Sequence, residues 1–203
     1  MPASPVTPPP PRGAHAIAHW ARSRGLPFEA RPDEAWFRGW EPYDTIAPPS
    51  FYFNACTINT PPGVIVLAEP WTSTSEDYEP LERTLLGFAT HPGLQRHASM
   101  RAGESFLTRV AFLESPPPPT VKVGDKVWDE HVVTFAASPR EAETAFHPRL
   151  RKLLSGWGFQ GHLELRAGGL VCHYAGLAPI PENYSRMRRI LIEIMNIALN
   201  PRR

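Results

Sequence analysis

The sequence predicts an α+β fold: an antiparallel sheet built from hairpins, with helices packed on one face. Three observations lead there. Aromatic and β-branched runs flank Pro-Gly and Gly-Gly breaks in SFYFNACTINTPPGVIVLAE and GHLELRAGGLVCHY, which reads as two hairpins. Amphipathic helical segments stand before and after these hairpins. With 203 residues and 42% apolar content, the chain suffices for one large domain or two small halves sharing a core.

Residues 1–12 are dominated by proline and read as a disordered, solvated tail. A helix is expected from about 14 to 24, with Ile17, Trp20 and Ala21 on one face and Gly25 as its stop. In RPDEAWFRGWEPYD, Pro32 takes a first helical position with Asp33 and Glu34 behind it, where acidic groups suit the positive helix end. Trp36, Phe37, Trp40 and Tyr43 then crowd together. Hairpin one turns at NTPPG. A helix near 79–89 carrying Leu81, Leu85 and Phe88 should follow, then a short helix in HPGLQRHASM and a strand in ESFLTRVAFLES.

Four consecutive prolines, Pro116 to Pro119, can join neither a helix nor a central strand. They mark 116–124 as a linker between an N-terminal half, 13–115, and a C-terminal half, 125–203, expected to share one core. EHVVTFA reads as a strand, its charged residues Asp129, Glu130 and His131 marking the strand entrance. Ser138 to Glu141, SPRE, is a capping box with Pro139 at the first helical position. That helix should kink at Pro148 and stop at Gly156. After hairpin two comes a long last helix with Tyr184, Met187, Leu191, Ile194, Met195 and Ala198 on its apolar stripe. Each half thus reads helix, hairpin, helix, the order a duplication would leave.

A two-residue turn at Gly168-Gly169 pairs Glu164 with His173 and Leu163 with Tyr174. Alternation then puts Leu163, Leu165, Leu170, Cys172 and Tyr174 inward, and His162, Glu164, Arg166, Val171 and His173 on the other face. His162, Glu164 and His173 have the ligand types of a two-histidine, one-carboxylate metal centre. Arg166 shares their face and competes for Glu164. The same set is what a solvent-facing sheet surface carries, and no cofactor is expected.

Cys56 and Cys172 lack any CxxC spacing and read as small buried hydrophobes; Cys172 and His173, being strand neighbours, point to opposite faces. The chain contains no GxSxG elbow, phosphate loop, GxGxxG turn or HExxH helix, so no catalytic residue is assigned. Its 21 basic and 20 acidic residues lack the basic excess that attracts a phosphate backbone, and nucleic acid is not expected as a partner. Neither a secretory h-region nor a long apolar run occurs, so a cytoplasmic location without membrane insertion is expected.

The segments WDEHVVTF, SPREAETAFHPRLRKLL and GHLELRAGGLVCHYAG together resemble the strand, helix and hairpin order of an uncharacterised bacterial α+β protein family of unknown function. The resemblance covers the last third to half of the chain. It implies a shared architecture and brings no catalytic residue with it. The function expected is that of a non-catalytic interaction or adaptor module, chaperone-like by analogy. Its partner is another protein, or a second copy in a homodimer, met through Trp36, Phe37, Trp40, Tyr43, Tyr184, Met187 and Leu191. The competing expectation is a small-ligand or metal-dependent enzyme with a pocket near His162, Glu164 and His173.

Overall fold

Seven strands and six helices are present among the residues described by the computed structural model, 11–71, 83–103 and 118–200. The strands form one open antiparallel sheet in the order β1 (Phe28–Glu29), β2 (Phe51–Thr60), β3 (Gly63–Trp71), β4 (Leu86–Ala102), β6 (Val132–Phe135) and β5 (Thr120–Val121), with β7 (Gly161–Tyr174) along the remaining edge of β4. Most of the proline-rich tail and the strand expected in ESFLTRVAFLES lie outside the described residues.

The first hairpin follows its sequence pattern, with β2 and β3 paired from Phe51↔Trp71 to Thr60↔Gly63 around Pro61 and Pro62. Residues 85–102 correct the expectation of helices there. All but Leu85 form β4, whose Leu86 and Phe88 face one side of the sheet while Ala89 faces the other, joined there by Leu85 just before the strand. A local helical spacing is overridden because strands from distant parts of the sequence claim both edges. Leu86 to Thr90 pair with β3 on one side and with β7 on the other, and Ser99 to Ala102 pair with β6 and β7. At Gly87 the last helix comes close, since a Cβ there would lie 2.7 Å from the end of the Leu191 side chain, which would have to shift.

β7 pairs with β4 along its whole length, yet its two ends meet. The Ala175 N–H donates to Gln160 O at 2.8 Å, and the Gly161 backbone abuts the His173 carbonyl. The strand therefore doubles back near Gly168, whose φ of +83° suits a residue without a Cβ. The second hairpin is thus present, with its two arms lying between the two arms of β4. Gln160 meeting Ala175 is two residues out of step with a Gly168-Gly169 turn, under which it would face Leu177. A shift of two leaves every side chain on its expected face.

The larger core lies on the face of Leu163, Leu165, Leu170 and Cys172, and is built with α1 (Ala14–Arg22), α3 (Lys126–His131), α4 (Pro139–Ala145), α5 (Pro148–Gly156) and α6 (Pro181–Leu199). The opposite face holds a smaller cluster, in which Phe37 of α2 (Glu34–Arg38), Tyr43 and Ile46 pack on Tyr52, Phe88 and Val171. Ser138 Oγ accepts the Glu141 N–H at 3.3 Å, so the Ser138 cap starts α4 where it was read, and a break at Phe146 and His147 separates it from α5. Asp33, not Pro32, opens α2, its Oδ1 accepting the Ala35 N–H at 3.0 Å. Asp129, Glu130 and His131, expected as a strand entrance, belong to α3 instead. Asp125 caps that helix, and the Asp129 carboxylate accepts the N–H groups of Val123 and Gly124.

Candidate functional site

The polar face of β7 is not open to solvent. His162, Glu164 and His173 are 0% exposed; the chain leaving α2 meets His162 through Thr45 and Glu164 through Asp44, while Thr84, just before β4, meets His173. This is the structure's principal departure from the sequence reading, and its cause lies in residues 36–46. Phe37, Tyr43 and Ile46 need an apolar surface, and Phe88 and Val171 supply one on this face. Covering those two residues carries Asp44 and Thr45 over the adjoining polar residues.

Glu164 is the centre of the arrangement. One carboxylate oxygen, Oε1, accepts from Arg166 Nε, and the other, Oε2, accepts the Asp44 N–H at 3.0 Å. Arg166 also donates to Trp40 O and to Pro42 O, and its guanidinium sits over the Tyr43 ring. A single arginine thus ties Glu164 to the returning chain. Burial by itself pushes the Glu164 carboxyl up, but the charges of His162 and Arg166 and the Asp44 N–H outweigh it and hold the group below the ordinary carboxylate range. His162 bonds Thr45 Oγ1 through Nδ1 and places Nε2 3.3 Å from Glu164 Oε2. His173 bonds Thr84 Oγ1 at 3.0 Å, and burial together with the His162 charge pulls its pKa down to about 3, so it stays neutral. Asp44 Oδ2 lies 3.4 Å from Nε2 of His97, a residue of β4 whose side chain is 65% exposed.

A second buried charged group lies at the bulge of β2. Asn54, at φ +52°, donates to Glu69, which Arg83 grips through two nitrogens at 2.7 and 3.1 Å, while Tyr184 donates to Asn54 O. These bonds hold α6 against the bulge and leave Glu69 fully paired.

The aromatic segment divides by exposure. Phe37 and Tyr43 are buried, Trp40 is half-buried, and Trp36 is 40% exposed. Trp36 lines an open groove of about 400 Å³ with Phe37, Val64, Val66, Thr57 and Pro32. Tyr184, Met187 and Leu191 are fully buried against the sheet. A separate cavity of about 250 Å³ lies between Met100, Trp128, Leu154 and Phe159. Neither cavity is lined by His162, Glu164 or His173. Both cysteines are free and buried, and burial raises the Cys56 thiol to about 12, far from thiolate chemistry at neutral pH.

Sequence reasoning did not single out Asp44, Thr45, Thr84 or His97. Asp44 carried a signal, standing directly after a crowded aromatic run that had to bury itself somewhere. His97 carried none, since its segment read as a helix.

No protein-family model matches the chain, and no curated protein matches it in sequence. A solved structure, described as the crystal structure of the mycobacterial trehalose monomycolate transport factor A, TtfA, is similar with a TM-score of 0.58 and 8% identity over 94% of each chain. At that identity the likeness is one of fold. Among the described residues, no helix is long and apolar enough to cross a membrane.

Proposed function

We propose that the chain is a non-catalytic, cytoplasmic protein-interaction module whose partner docks on the groove beside Trp36. The observation that carries this reading is the contrast between the two sides of α2. Beneath the chain that follows it, His162 and Glu164 are sealed, and Arg166 and Glu164 fasten that chain. Beside α2, Trp36 and Val64, at 40% and 37% exposed, leave apolar surface open at a groove large enough for a side chain or two of a partner. Phe37 and Tyr43 back that surface from within. Met187 and Leu191, buried on the sheet, serve the core. The structural neighbour is described as a transport factor, which agrees in kind with an accessory role.

The test is quantitative capture in the native host, comparing wild type with Trp36→Glu and with Arg22→Glu on α1 as a control. A specific protein retained by wild type and the control but reduced at least tenfold by Trp36→Glu supports the reading. Equal recovery by all three overturns the groove as the docking surface. Sedimentation distinguishes a second copy from a different protein as occupant.

A further inference from the structure

We propose that Asp44, His97, His162 and Glu164 form a site for one first-row divalent metal ion of the zinc type, at the junction of the covering chain and the sheet. His162 and Glu164 project from one face of β7, two residues apart. His97 comes from β4 and Asp44 from the chain that follows α2. Ligand atoms of Asp44, His97 and Glu164 all lie within 4.8 Å of one another. His162 Nε2 is 3.3 Å from Glu164 Oε2, and His97 Nε2 is 3.4 Å from Asp44 Oδ2. A tetrahedral ion with bonds of about 2.0–2.1 Å holds its donors about 3.3–3.4 Å apart, so both separations match edges of such a site.

Unpartnered atoms point the same way. His162 Nε2 is fully buried and makes no well-directed hydrogen bond, and Asp44 Oδ2 is buried without a hydrogen-bond partner. Native structures seldom leave such atoms unpaired, and a bound dication would satisfy both. An ion bound here would displace the proton that Nε2 otherwise turns toward Glu164, and with Nδ1–H donated to Thr45 Oγ1 His162 would then have the tautomer a metal needs, Thr45 being the outer group that orients it. Glu164 keeps one lone pair free on Oε2, because Arg166 takes Oε1 and the Asp44 N–H takes only one position on Oε2. Two carboxylates face one guanidinium, leaving a negative charge that a dication offsets. Two imidazoles and two carboxylates favour zinc, cobalt or iron(II) over calcium and magnesium, which prefer oxygen alone. The exposed ring of His97 gives the ion its route from solvent. His173, engaged with Thr84, stays outside the set, so the site differs from a His162, Glu164 and His173 trio.

The experiment uses the full chain freed of metal by a chelator, titrated with zinc by calorimetry and with cobalt(II) by visible absorption. One ion per chain, the intense visible bands of tetrahedral cobalt, and at least tenfold weaker binding in both His97→Ala and Asp44→Asn are expected. His19→Ala, on an exposed face of α1, should bind as wild type does. His97→Ala removes a mostly exposed ring, and an unchanged circular dichroism spectrum shows that its loss of binding is not unfolding. A stoichiometry far below one, or affinity unchanged in both site variants, overturns the site and assigns any residual binding to scattered surface histidines. Docking at Trp36 is read by a different assay and stands or falls separately.

Discussion

A carboxylate cut off from water keeps its charge only where neighbours replace the lost solvation, and Glu164 has that replacement from Arg166 and the Asp44 N–H. Arg166→Met removes the cation and leaves a buried charge unpaired. That should cost about 3–5 kcal/mol by urea denaturation, and the Glu164→Gln, Arg166→Met pair together much less than the sum of the two single losses. His173 sets a pH dependence of definite sign. Its folded pKa, about 3, lies below the ordinary histidine value near 6.5, so the unfolded chain binds the extra proton between those limits. Its contribution is whole above about pH 6.5 and is lost as pH falls, by up to about 1.4 kcal/mol per pH unit. Burial lowers His147 in the same direction, whereas Glu164 loses its contribution only below the ordinary carboxylate range. His173→Gln should therefore flatten the stability slope between pH 7 and 5 by about one proton, read from urea midpoints. A slope equal to that of wild type would assign the dependence elsewhere. At this scale the sequence revealed which side chains share a face of β7, because alternation is a property of the strand itself. It did not reveal their burial, which depends on where residues 36–46 come to rest.

At the scale of elements, what could be read ahead of the structure divides by how local the cause is. The start of α4 is written in four residues, and Ser138→Ala should cost about 1 kcal/mol in thermal or chemical unfolding, as the loss of a side-chain cap does. The β2–β3 turn is equally local. β4 is the contrary case: Leu85 and Phe88 fit a helical spacing as well as a strand, and only the backbones of β3, β6 and β7 decide between them. Gly169 shows how closely those backbones approach. A Cβ there would stand 2.9 Å from Ala89 O and collide with the Trp40 ring. Gly169→Ala should thus destabilise by about 1–3 kcal/mol and disturb Trp40 fluorescence, because one contact is with backbone that cannot step aside. The metal-type quartet was partly legible: His162 and Glu164 belong to one strand, but Asp44 and His97 reach them only through the fold.

For the whole molecule, the ladder along β4 joins residues 86–102 to residues 161–174. A fragment ending at Ser115 lacks β7, and both arms of its β4 would expose one row of unpaired backbone groups. Such a fragment should show no cooperative unfolding transition and little chemical-shift dispersion, whereas the full chain shows both. The nested arrangement also imposes an order on events during synthesis. As the ribosome delivers the chain from its N-terminus, β1, β2, β3 and the first arm of β4 can assemble while the slot between the arms of β4 stands empty. It is filled only after some sixty further residues have emerged, and then by a hairpin that must bond on both flanks at once. The nascent protein passes through a period when its widest sheet edges are available to any strand nearby, including those of a sister chain.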